Sequence, residues 1–416
     1  TVDAGKFGVH GDGKTDDTAA LQRALDACDK HNGGVVQLPP GNYCILGNLA
    51  IPQDVTLEGV FSRPPAWNAG RNTVLHAFAG RGEEEGPAFI TLGNNATLRG
   101  LAVYYPEQDP DAITPYPWCV SGDSSDDVAI VDCMLVNPYQ GLNLGQGRME
   151  RHFVSNVYGM PLRRGLFVDS CTDIGRIENV HFWPFWRESL GHPATRQFLN
   201  EHGEAFIFGR SDWQFVTNTF CWGYNTAYRF METRNGVCNG NFVGIAGDSC
   251  NISVLVENAA PYGLLITNGQ FVAIQGRRPR QIRVRKTHAG SVQFSNCSFW
   301  GLSDHVAHIE GAGFVGMNQC HILDWRTTAD NKPAILVESG QASITNCRFA
   351  KGGAAVEVGP EAQGVIVSNN IFSGPEAVRS SGSAPVVAQS NLEVVPAYEI
   401  PANSWIVDVR GANVEM

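Results

Sequence analysis

Short segments of alternating apolar and polar residues recur along this chain, and most of them meet an asparagine where the strand must turn. Examples are "IENVHF", "SNCSF", "TNCRF" and "SNNIF". Asparagine tolerates left-handed backbone, and its amide hydrogen-bonds to neighbouring peptides. Stacked turns would therefore align these side chains as a ladder. The predicted ladder positions are Asn156, Asn179, Asn218, Asn239, Asn268, Asn296, Asn318, Asn346 and Asn369.

The spacing of the ladder predicts the architecture. Most intervals are 21 to 29 residues, and a strand unit that repeats at this period is typical of a parallel β-solenoid. The interval from Asn179 to Asn218 is 39 residues, which exceeds the preceding interval of 23 by about 16 residues. In a solenoid such an insertion forms a loop on one face, often the binding face.

An amphipathic helix is predicted over residues 15–30, because the apolar residues between Ala19 and Cys28 recur at helical spacing. Thr15 or Asp16 is the expected N-cap. The pair Gly33-Gly34 follows and ends the helix. Because the first coil of a solenoid has an open apolar end, we expect this helix to cover it as a cap.

The segments "FGVHGDGKTDDTAALQRALDAC" and "GGVVQLPPGNYCI" resemble the N-terminal signature of the pectate-lyase-like right-handed β-helix superfamily. This group contains polygalacturonase-type hydrolases, pectate lyases and many phage tailspikes. The signature covers about residues 7–45, and the ladder extends the likeness to about residue 372. The resemblance implies an all-β chain, a single-stranded right-handed parallel β-helix (solenoid) with an N-terminal capping α-helix. It says less about function, because the signature builds the cap and not the site.

One domain is predicted over residues 1–416, because a solenoid grows lengthwise without needing a larger core. Within it we expect the cap and first coil over 1–46, further coils over 47–372, and a last irregular coil and tail over 373–416. The Pro-, Gly- and Arg-rich stretch from Phe61 to Glu85 is predicted to be a long loop that folds over the site or a neighbouring subunit.

Composition narrows the function classes. With 46 Gly, 22 Pro, 43% hydrophobic and 17% charged residues, the chain fits a β-rich globular protein. A net charge of −11 argues against nucleic-acid binding, which needs a basic face. No apolar run of about 18 residues is present, so no membrane span is predicted.

Eleven cysteines are present, and several follow ladder positions closely, as Cys297, Cys320 and Cys347 do. An interior stack of small buried thiols is the favoured interpretation, against disulfides or metal binding. No Cys-x-x-Cys pair occurs, so a structural zinc site is not expected, and no metal or cofactor is predicted.

In the superfamily that this chain resembles, each coil has three strands and substrates lie along one of the three sheets. The strands "GLFVDS", "AFIFGR", "AYRFMET", "SVLVEN", "IRVRK", "VAHIEG" and "AILVES" are predicted to form that sheet. Alternation puts every second side chain outward, and a slip of one residue would reverse the assignment. The predicted outward set is Asn143, Phe167, Asp169, Phe206, Phe208, Arg210, Arg229, Met231, Leu255, Glu257, Arg283, Arg285, His308, Glu310, Leu336 and Glu338. A solvated charged face and a sugar cleft both fit this row.

The insertion favours the sugar cleft. It contributes to residues 183–204, "WPFWRESLGHPATRQFLNEHGE", and leads into the predicted cleft strand. Aromatic rings stack on sugar faces while charged groups bind hydroxyls, so aromatics interleaved with charge fit a glycan pocket. The equivalent turn of the next coil carries "CWGYNTA". The predicted substrate-binding residues are Trp186, Arg187, His192, Arg210, Trp222, Tyr224 and Arg229.

Glycoside hydrolysis needs two carboxyl groups that flank the bond. The acids closest to the insertion are the predicted catalytic set, namely Asp169, Glu188, Glu204, Asp212 and Glu257. Polygalacturonase-type hydrolases carry Asn-x-Asp, Asp-Asp, Gly-His-Gly and Arg-x-Lys. Here Asp126-Asp127 lies off the expected sheet, no Gly-His-Gly occurs, and "RVRK" only approaches Arg-x-Lys, so that catalytic set cannot be transferred.

A glycoside hydrolase acting on a polysaccharide or oligosaccharide is the first functional hypothesis. A polysaccharide lyase is the second, with a base and carboxylate clamps drawn from Arg210, Arg229, Arg283, Arg285, Lys286 and His308. A non-catalytic glycan binder of tailspike or adhesin type is the third. A homotrimer is suggested by the resemblance. Because the chain opens at Thr1, a removed signal peptide and a secreted or periplasmic location are expected.

Overall fold

The computed structural model describes residues 1–64, 66–68, 70–184, 192–325, 332–375 and 377–394. Its strands follow one another around three parallel sheets, which we call sheets 1, 2 and 3 in the order in which a coil visits them. Every pairing between these strands is parallel, and each strand pairs with its counterparts in the coils before and after it. The chain is a right-handed parallel β-helix, as predicted.

Sheet 1 carries the strand that opens each coil. Its strands, including the parts of five long strands that bend between two sheets, are Val2–Asp3, Gly34–Gln37, Val55–Glu58, Thr97–Arg99, Ala129–Val136, Phe153–Gly159, Arg176–Phe182, Ser211–Thr217, Cys238–Val243, Leu264–Thr267, Ser291–Ser295, Phe314–Asn318, Ile335–Thr345, Val356–Ser368 and Val386–Gln389.

Sheet 2 follows sheet 1 across a sharp corner. It takes the second halves of the bent strands Ala129–Val136, Phe153–Gly159 and Arg176–Phe182. Its other strands are Asp12–Asp16, Gly41–Ile45, Thr73–Ala77, Ala102–Tyr104, Phe220–Trp222, Ala246–Cys250, Gln270–Ala273, Ser298–Trp300, His321–Ile322, Arg348–Phe349, Ile371–Phe372 and Leu392–Glu393.

Sheet 3 closes each coil and corresponds to the predicted cleft sheet. It takes the first halves of Ile335–Thr345 and Val356–Ser368. Its other strands are Leu49–Ile51, Ile90–Leu92, Trp118–Gly122, Gln140–Leu144, Arg164–Val168, Glu204–Phe208, Thr226–Phe230, Ile252–Val256, Arg280–Val284, His305–Ile309 and Val378–Ser380. Paired strands reach residue 393, so one further coil, with strands of two to four residues, follows residue 372.

The corner between sheets 1 and 2 contains the asparagine ladder. Seven of the nine predicted residues have left-handed backbone there: Asn156, Asn179, Asn218, Asn268, Asn296, Asn346 and Asn369. The amides of five of them, Asn156, Asn179, Asn268, Asn296 and Asn346, bond from coil to coil, as when Asn296 Nδ2 donates to Asn268 Oδ1 at 2.7 Å. The assignment of Asn239 was wrong, because it lies inside a strand and Gly244 makes the turn. Asn318 ends its strand and Gln319 makes the turn, but Asn318 Oδ1 accepts from Asn346 Nδ2 at 2.9 Å, so Asn318 is still part of the ladder.

The predicted cap helix spans Thr18–Asp29 and packs against the first strands of sheets 1 and 3. Its buried residues include Leu21, Ala24 and Leu25. Neither predicted N-cap residue holds that position. Asp17 precedes the helix, and its buried carboxylate instead accepts hydrogen bonds from the backbone of His10 at 2.7 Å and Gly11 at 3.0 Å.

The interior is filled by side chains that stack from coil to coil. Phe206 lies between Phe182 and Tyr228, with ring centroids 5.0 and 4.9 Å away. All eleven cysteines are buried and unpaired, which confirms the prediction of interior thiols. Burial raises the pKa of Cys133 to about 12, so this thiol is held neutral.

Long connections concentrate at the corner between sheets 2 and 3. The insertion after Arg176–Phe182 lies there and leads into the sheet 3 strand Glu204–Phe208, as the spacing predicted. It contains a helix that the sequence did not predict, Pro193–His202, which buries Thr195 and Leu199. No helix among the described residues is long and apolar enough to cross a bilayer.

Candidate functional site

The solvent face of sheet 3 carries a continuous row of side chains set by the strand register. In the row, Arg229 pairs with Ile207 in the preceding coil and with Leu255 in the following one. Adjacent members lie about 4.8 Å apart because they occupy neighbouring parallel strands. The aligned residues are Asn143, Phe167, Ile207, Arg229, Leu255, Arg283, His308, Leu336 and Glu357.

The predicted outward set is corrected at one strand. Phe206 and Phe208 were expected on the face, but both are fully buried, and Ile207 occupies the row between them. The strand "AFIF" is apolar throughout, so alternation within it cannot show which side faces inward. The register is decided by the neighbouring coils, where Phe206 pairs with Leu166 and Tyr228.

Arg229 is the centre of an ion-pair cluster on this face. Its Nη1 lies 2.8 Å from Glu204 Oε1, and its Nη2 lies 2.9 Å from Glu257 Oε1. Arg163 adds a second cation, with Nη1 3.2 Å from Glu204 Oε2. The side chains of Glu204 and Glu257 are 14% and 26% exposed, so the cluster is accessible but well shielded.

The charges of the cluster balance, since the two cations Arg163 and Arg229 face the two carboxylates of Glu204 and Glu257. Burial alone would lower the pKa of Arg229, but the charges of Glu204 and Glu257 outweigh it and hold that pKa above its usual value. The two carboxylates are bound to different nitrogens of one guanidinium, so their nearest oxygens lie within about 8 Å of each other. Three of the twelve predicted site residues, Glu204, Arg229 and Glu257, therefore meet at one point.

Asp169 is close to this face but is turned into a loop. Its carboxylate accepts hydrogen bonds from the Arg210 backbone at 2.6 Å, Thr233 Oγ1 at 2.9 Å and Asn235 Nδ2 at 2.8 Å. Only 6% of the residue is exposed. The contacts tie the turn after Arg210 to the turn at Thr233, which is a positioning role and not one that presents a carboxylate to a ligand.

Asp212 and Arg210 lie at the corner between sheets 3 and 1. Arg210 Nη2 lies 2.6 Å from Asp212 Oδ2, and Asn239 Nδ2 donates to Asp212 Oδ1 at 3.1 Å. Asp212 belongs to the sheet 1 strand Ser211–Thr217. The pair thus borders the sheet 3 face and does not lie in it.

The two predicted aromatic platforms that the structure describes, Trp222 and Tyr224, do not lie on sheet 3. Tyr224 is fully buried and its hydroxyl donates to Pro161 O at 2.6 Å, so it is a core residue. Trp222 ends a strand of sheet 2, with its ring 6.5 Å from that of Trp183. His192 Nε2 lies 3.5 Å from Asp111 Oδ1, beside another loop. Trp186, Arg187 and Glu188 lie outside the described residues.

A second charged cluster lies farther along sheet 3. Arg283 Nε donates to Glu310 Oε2 at 3.2 Å, and His308 Nε2 lies 2.8 Å from Glu338 Oε1. Ligand atoms of His308, Glu310 and Glu338 all lie within 4.8 Å of one another, so among the described residues this trio could hold a metal ion. Glu310, however, already neutralises Arg283, which weakens its case as a metal ligand.

The sequence reasoning missed two parts of the molecule. Arg163 was missed because it precedes its strand and falls outside the alternation. Sheet 2 was missed because the alternation of apolar and polar residues was used to predict outward side chains only for the strands of sheet 3. Its solvent side carries a run of rings in which His181 lies 4.8 Å from Phe220 and 6.4 Å from Tyr158. Beside Trp222 in the same sheet, burial raises the pKa of Asp248.

Known proteins share this architecture, both in sequence and in structure. Residues 1–97 match the family described as rhamnogalacturonase A/epimerase, pectate lyase-like. Gene product 12 of bacteriophage phi29 superposes with a TM-score of 0.61 at 14% identity, covering 95% of this chain and 57% of that one. The chain resembles the pectate-lyase-like right-handed β-helix superfamily, by sequence over its first 97 residues and by fold over 95% of its length.

The sequence relatives differ in how much of their length aligns with this chain. The tail spike protein of Shigella phage Sf6 is 24% identical over 477 aligned positions, which cover 99% of this chain and 70% of that protein. Alginate lyase 7 of Azotobacter vinelandii is 58% identical, but only over 41 residues. Those residues are 10% of this chain and 5% of the lyase.

The pair Asp126-Asp127, compared above with the Asp-Asp motif of polygalacturonase-type hydrolases, lies off the sheet 3 face. Asp126 Oδ2 lies 2.7 Å from Arg148 Nη2, and Asp127 is held by Arg151 at 2.7 Å. Both acids lie in the turn that leads into sheet 1. This agrees with the sequence argument that the pair lies off the cleft sheet.

Proposed function

We propose that this protein is a carbohydrate-active enzyme that hydrolyses a glycan on the solvent face of sheet 3. The observation that carries the proposal is the meeting of Glu204 and Glu257 at Arg229. Glycosidases place their two carboxyl groups about 5 to 9.5 Å apart, and a separation within about 8 Å is compatible with that range. The name of one relative, an alginate lyase matched over 41 residues, agrees with a glycan ligand.

In this proposal one carboxyl group protonates the leaving oxygen, and the other acts as nucleophile or activates water. Arg229 separates the two acids in the free protein. A hydroxyl or carboxylate of the bound sugar would replace one of its two partners, because a guanidinium binds oxygen acceptors along both edges. The sugar would then lie between Glu204 and Glu257. Arg163 would keep Glu204 in position.

The test replaces each acid by its amide. We expect Glu204→Gln and Glu257→Gln to lower the release of reducing ends by about 100-fold or more without unfolding the protein. Glu58→Gln is the matched control, since Glu58 also pairs with an arginine, Arg99, but on sheet 1. If both face variants keep normal hydrolysis of the glycan that the wild type cleaves, the assignment is wrong.

Elimination is the second candidate, and the cluster at His308 favours it. His308 is 7% exposed, its Nδ1 has no hydrogen-bond partner among the residues that the structure describes, and Arg283 and Arg285 lie in the preceding coil. A base beside arginines that bind a uronate carboxylate is the arrangement that β-elimination needs. Products that absorb in the ultraviolet, lost in His308→Gln and kept in Glu204→Gln, would support it. Binding without any product would indicate a glycan-binding protein.

A further inference from the structure

A loop covers part of sheet 2 near the N-terminal end of the β-helix. It connects Val55–Glu58 to Thr73–Ala77, and Asn72 clamps it from within. Ser62 Oγ donates to Asn72 Oδ1 at 2.6 Å, and Asn72 Nδ2 donates to Ala66 O at 2.6 Å. Asn72 is only 4% exposed. These bonds fix the short 3₁₀ turn Ala66–Asn68 above the sheet, so the geometry beneath it is preformed.

A cavity of about 390 Å³ lies between this turn and the sheet. Its lining residues are Asn42, Trp67, Asn68, Val74, His76 and Tyr104. Asn42, His76 and Tyr104 come from three successive coils of sheet 2, so the cavity does not involve the sheet 3 face. Its volume falls in the range of small-ligand sites.

The lining combines aromatic rings with neutral polar groups. The Trp67 and Tyr104 rings lie 5.2 Å apart, and His76 meets Tyr104 edge-on at 5.5 Å. The amides of Asn42 and Asn68, the His76 imidazole and the Tyr104 hydroxyl form no hydrogen bond with any described residue. None of the lining residues carries a carboxylate, ammonium or guanidinium group. Burial lowers the pKa of His76, which favours its neutral form.

We propose that this cavity, the loop-covered pocket of sheet 2, binds a neutral pyranose unit of a glycan. The faces of sugar rings stack on aromatic side chains through their C–H groups, and amides both donate to and accept from hydroxyls. A uronate is disfavoured, because its carboxylate would lose water without gaining a cationic partner. The pocket would hold a glycan at a second point and does not depend on hydrolysis at sheet 3.

The experiment titrates the full chain with the methyl glycosides of glucose, galactose and mannose, and with galacturonate, by calorimetry and saturation-transfer NMR. We expect at least one neutral glycoside to bind and galacturonate to bind at least about tenfold more weakly. Asn42→Ala should weaken binding about 3- to 10-fold and Tyr104→Ala tenfold or more. Trp213→Ala is the control, since Trp213 is 65% exposed at a different corner.

Three results would overturn the proposal. One is no binding of any of the three neutral glycosides at tens of millimolar. Another is binding unchanged in folded Asn42→Ala and Tyr104→Ala, which would place the sugar elsewhere. The third is preferential binding of galacturonate. Tyr104→Phe, which removes only the hydroxyl, replaces Tyr104→Ala if the latter fails to fold. Glu204→Gln should keep pocket binding, so failure here is distinct from failure of the proposed hydrolysis.

Discussion

Arg229 shows how a single residue can organise a surface in this fold. Its two carboxylate partners come from the coil before it and the coil after it, so one side chain joins three successive coils. An ion pair at a free surface contributes little, but a guanidinium held on both edges in a half-buried position is fixed in orientation. That orientation makes Glu204 and Glu257 a pair instead of two unrelated acids.

His152 supplies a prediction at the same scale. It is 1% exposed, and burial lowers its pKa to about 4. In the unfolded chain a histidine protonates near pH 6.5. As the pH falls from about 6.5 to 4, the unfolded state therefore binds a proton that the folded state does not, and stability falls. Above pH 6.5 His152 contributes no pH dependence.

We expect the loss from His152 alone to be on the order of 3 kcal/mol by pH 4, because a pKa difference of one unit corresponds to about 1.4 kcal/mol. Urea unfolding of the wild type and His152→Gln between pH 4 and 8 measures it. The variant should show the shallower slope below pH 6.5. Equal slopes would contradict a neutral buried His152, whatever the variant does to stability at pH 8.

At the scale of the element, the asparagine corner combines two separate contributions. Left-handed backbone at the corner costs an ordinary residue about 1 to 2 kcal/mol, and asparagine tolerates it better. The amide then adds a bond to a neighbouring coil. The two contributions are separable at Asn296, which has a φ of 52° and donates to Asn268 Oδ1 at 2.7 Å.

Asn296→Ala should lose both contributions and lower the free energy of unfolding by about 2 kcal/mol. Asn296→Gly should lose mainly the amide bond, since glycine adopts left-handed backbone without strain, and should cost less. Thermal and urea unfolding of the two variants gives the comparison. A glycine variant no more stable than the alanine variant would show that backbone conformation does not limit this corner.

The position of the insertion between sheets 2 and 3 also affects the proposed site. The insertion ends at the helix Pro193–His202, whose last turn delivers Glu204 to the start of its strand. Arg163 Nη1 donates to the His202 carbonyl at 2.7 Å, which ties the helix to the sheet 3 face. The insertion therefore helps to place the proposed acid. The platforms predicted on the equivalent turn of the next coil lie elsewhere, Trp222 in sheet 2 and Tyr224 in the core.

For the whole molecule, the homotrimer remains a prediction. Solenoid flanks offer long flat surfaces, and within the described part of the chain several apolar side chains are exposed on the last coils, including Ile366 at 46% and Val387 at 49%. Burying such residues against other copies would be favourable. Light scattering at micromolar concentration should give three times the 45.1 kDa chain mass. A value near 45.1 kDa would contradict the prediction.

The sequence by itself determined the coil. A turn residue recurring at a fixed period, a capping helix and interior cysteines are local patterns, and each depends on backbone conformation or burial that neighbouring residues already specify. The position of the insertion followed in the same way, because an excess of residues between two ladder positions has to leave the coil between them.

Only the tertiary structure decided which side chains meet. Apolar runs such as "AFIF" have no alternation to read, so packing against the coils on either side put Phe206 inside and Ile207 outside. Asp169 and Tyr224 were predicted as site residues from the sequence. In the structure Asp169 bonds to Thr233, 64 residues away, and Tyr224 bonds to Pro161, 63 residues away. Contacts of that range depend on the stacking of whole coils, and no local pattern in the sequence encodes them.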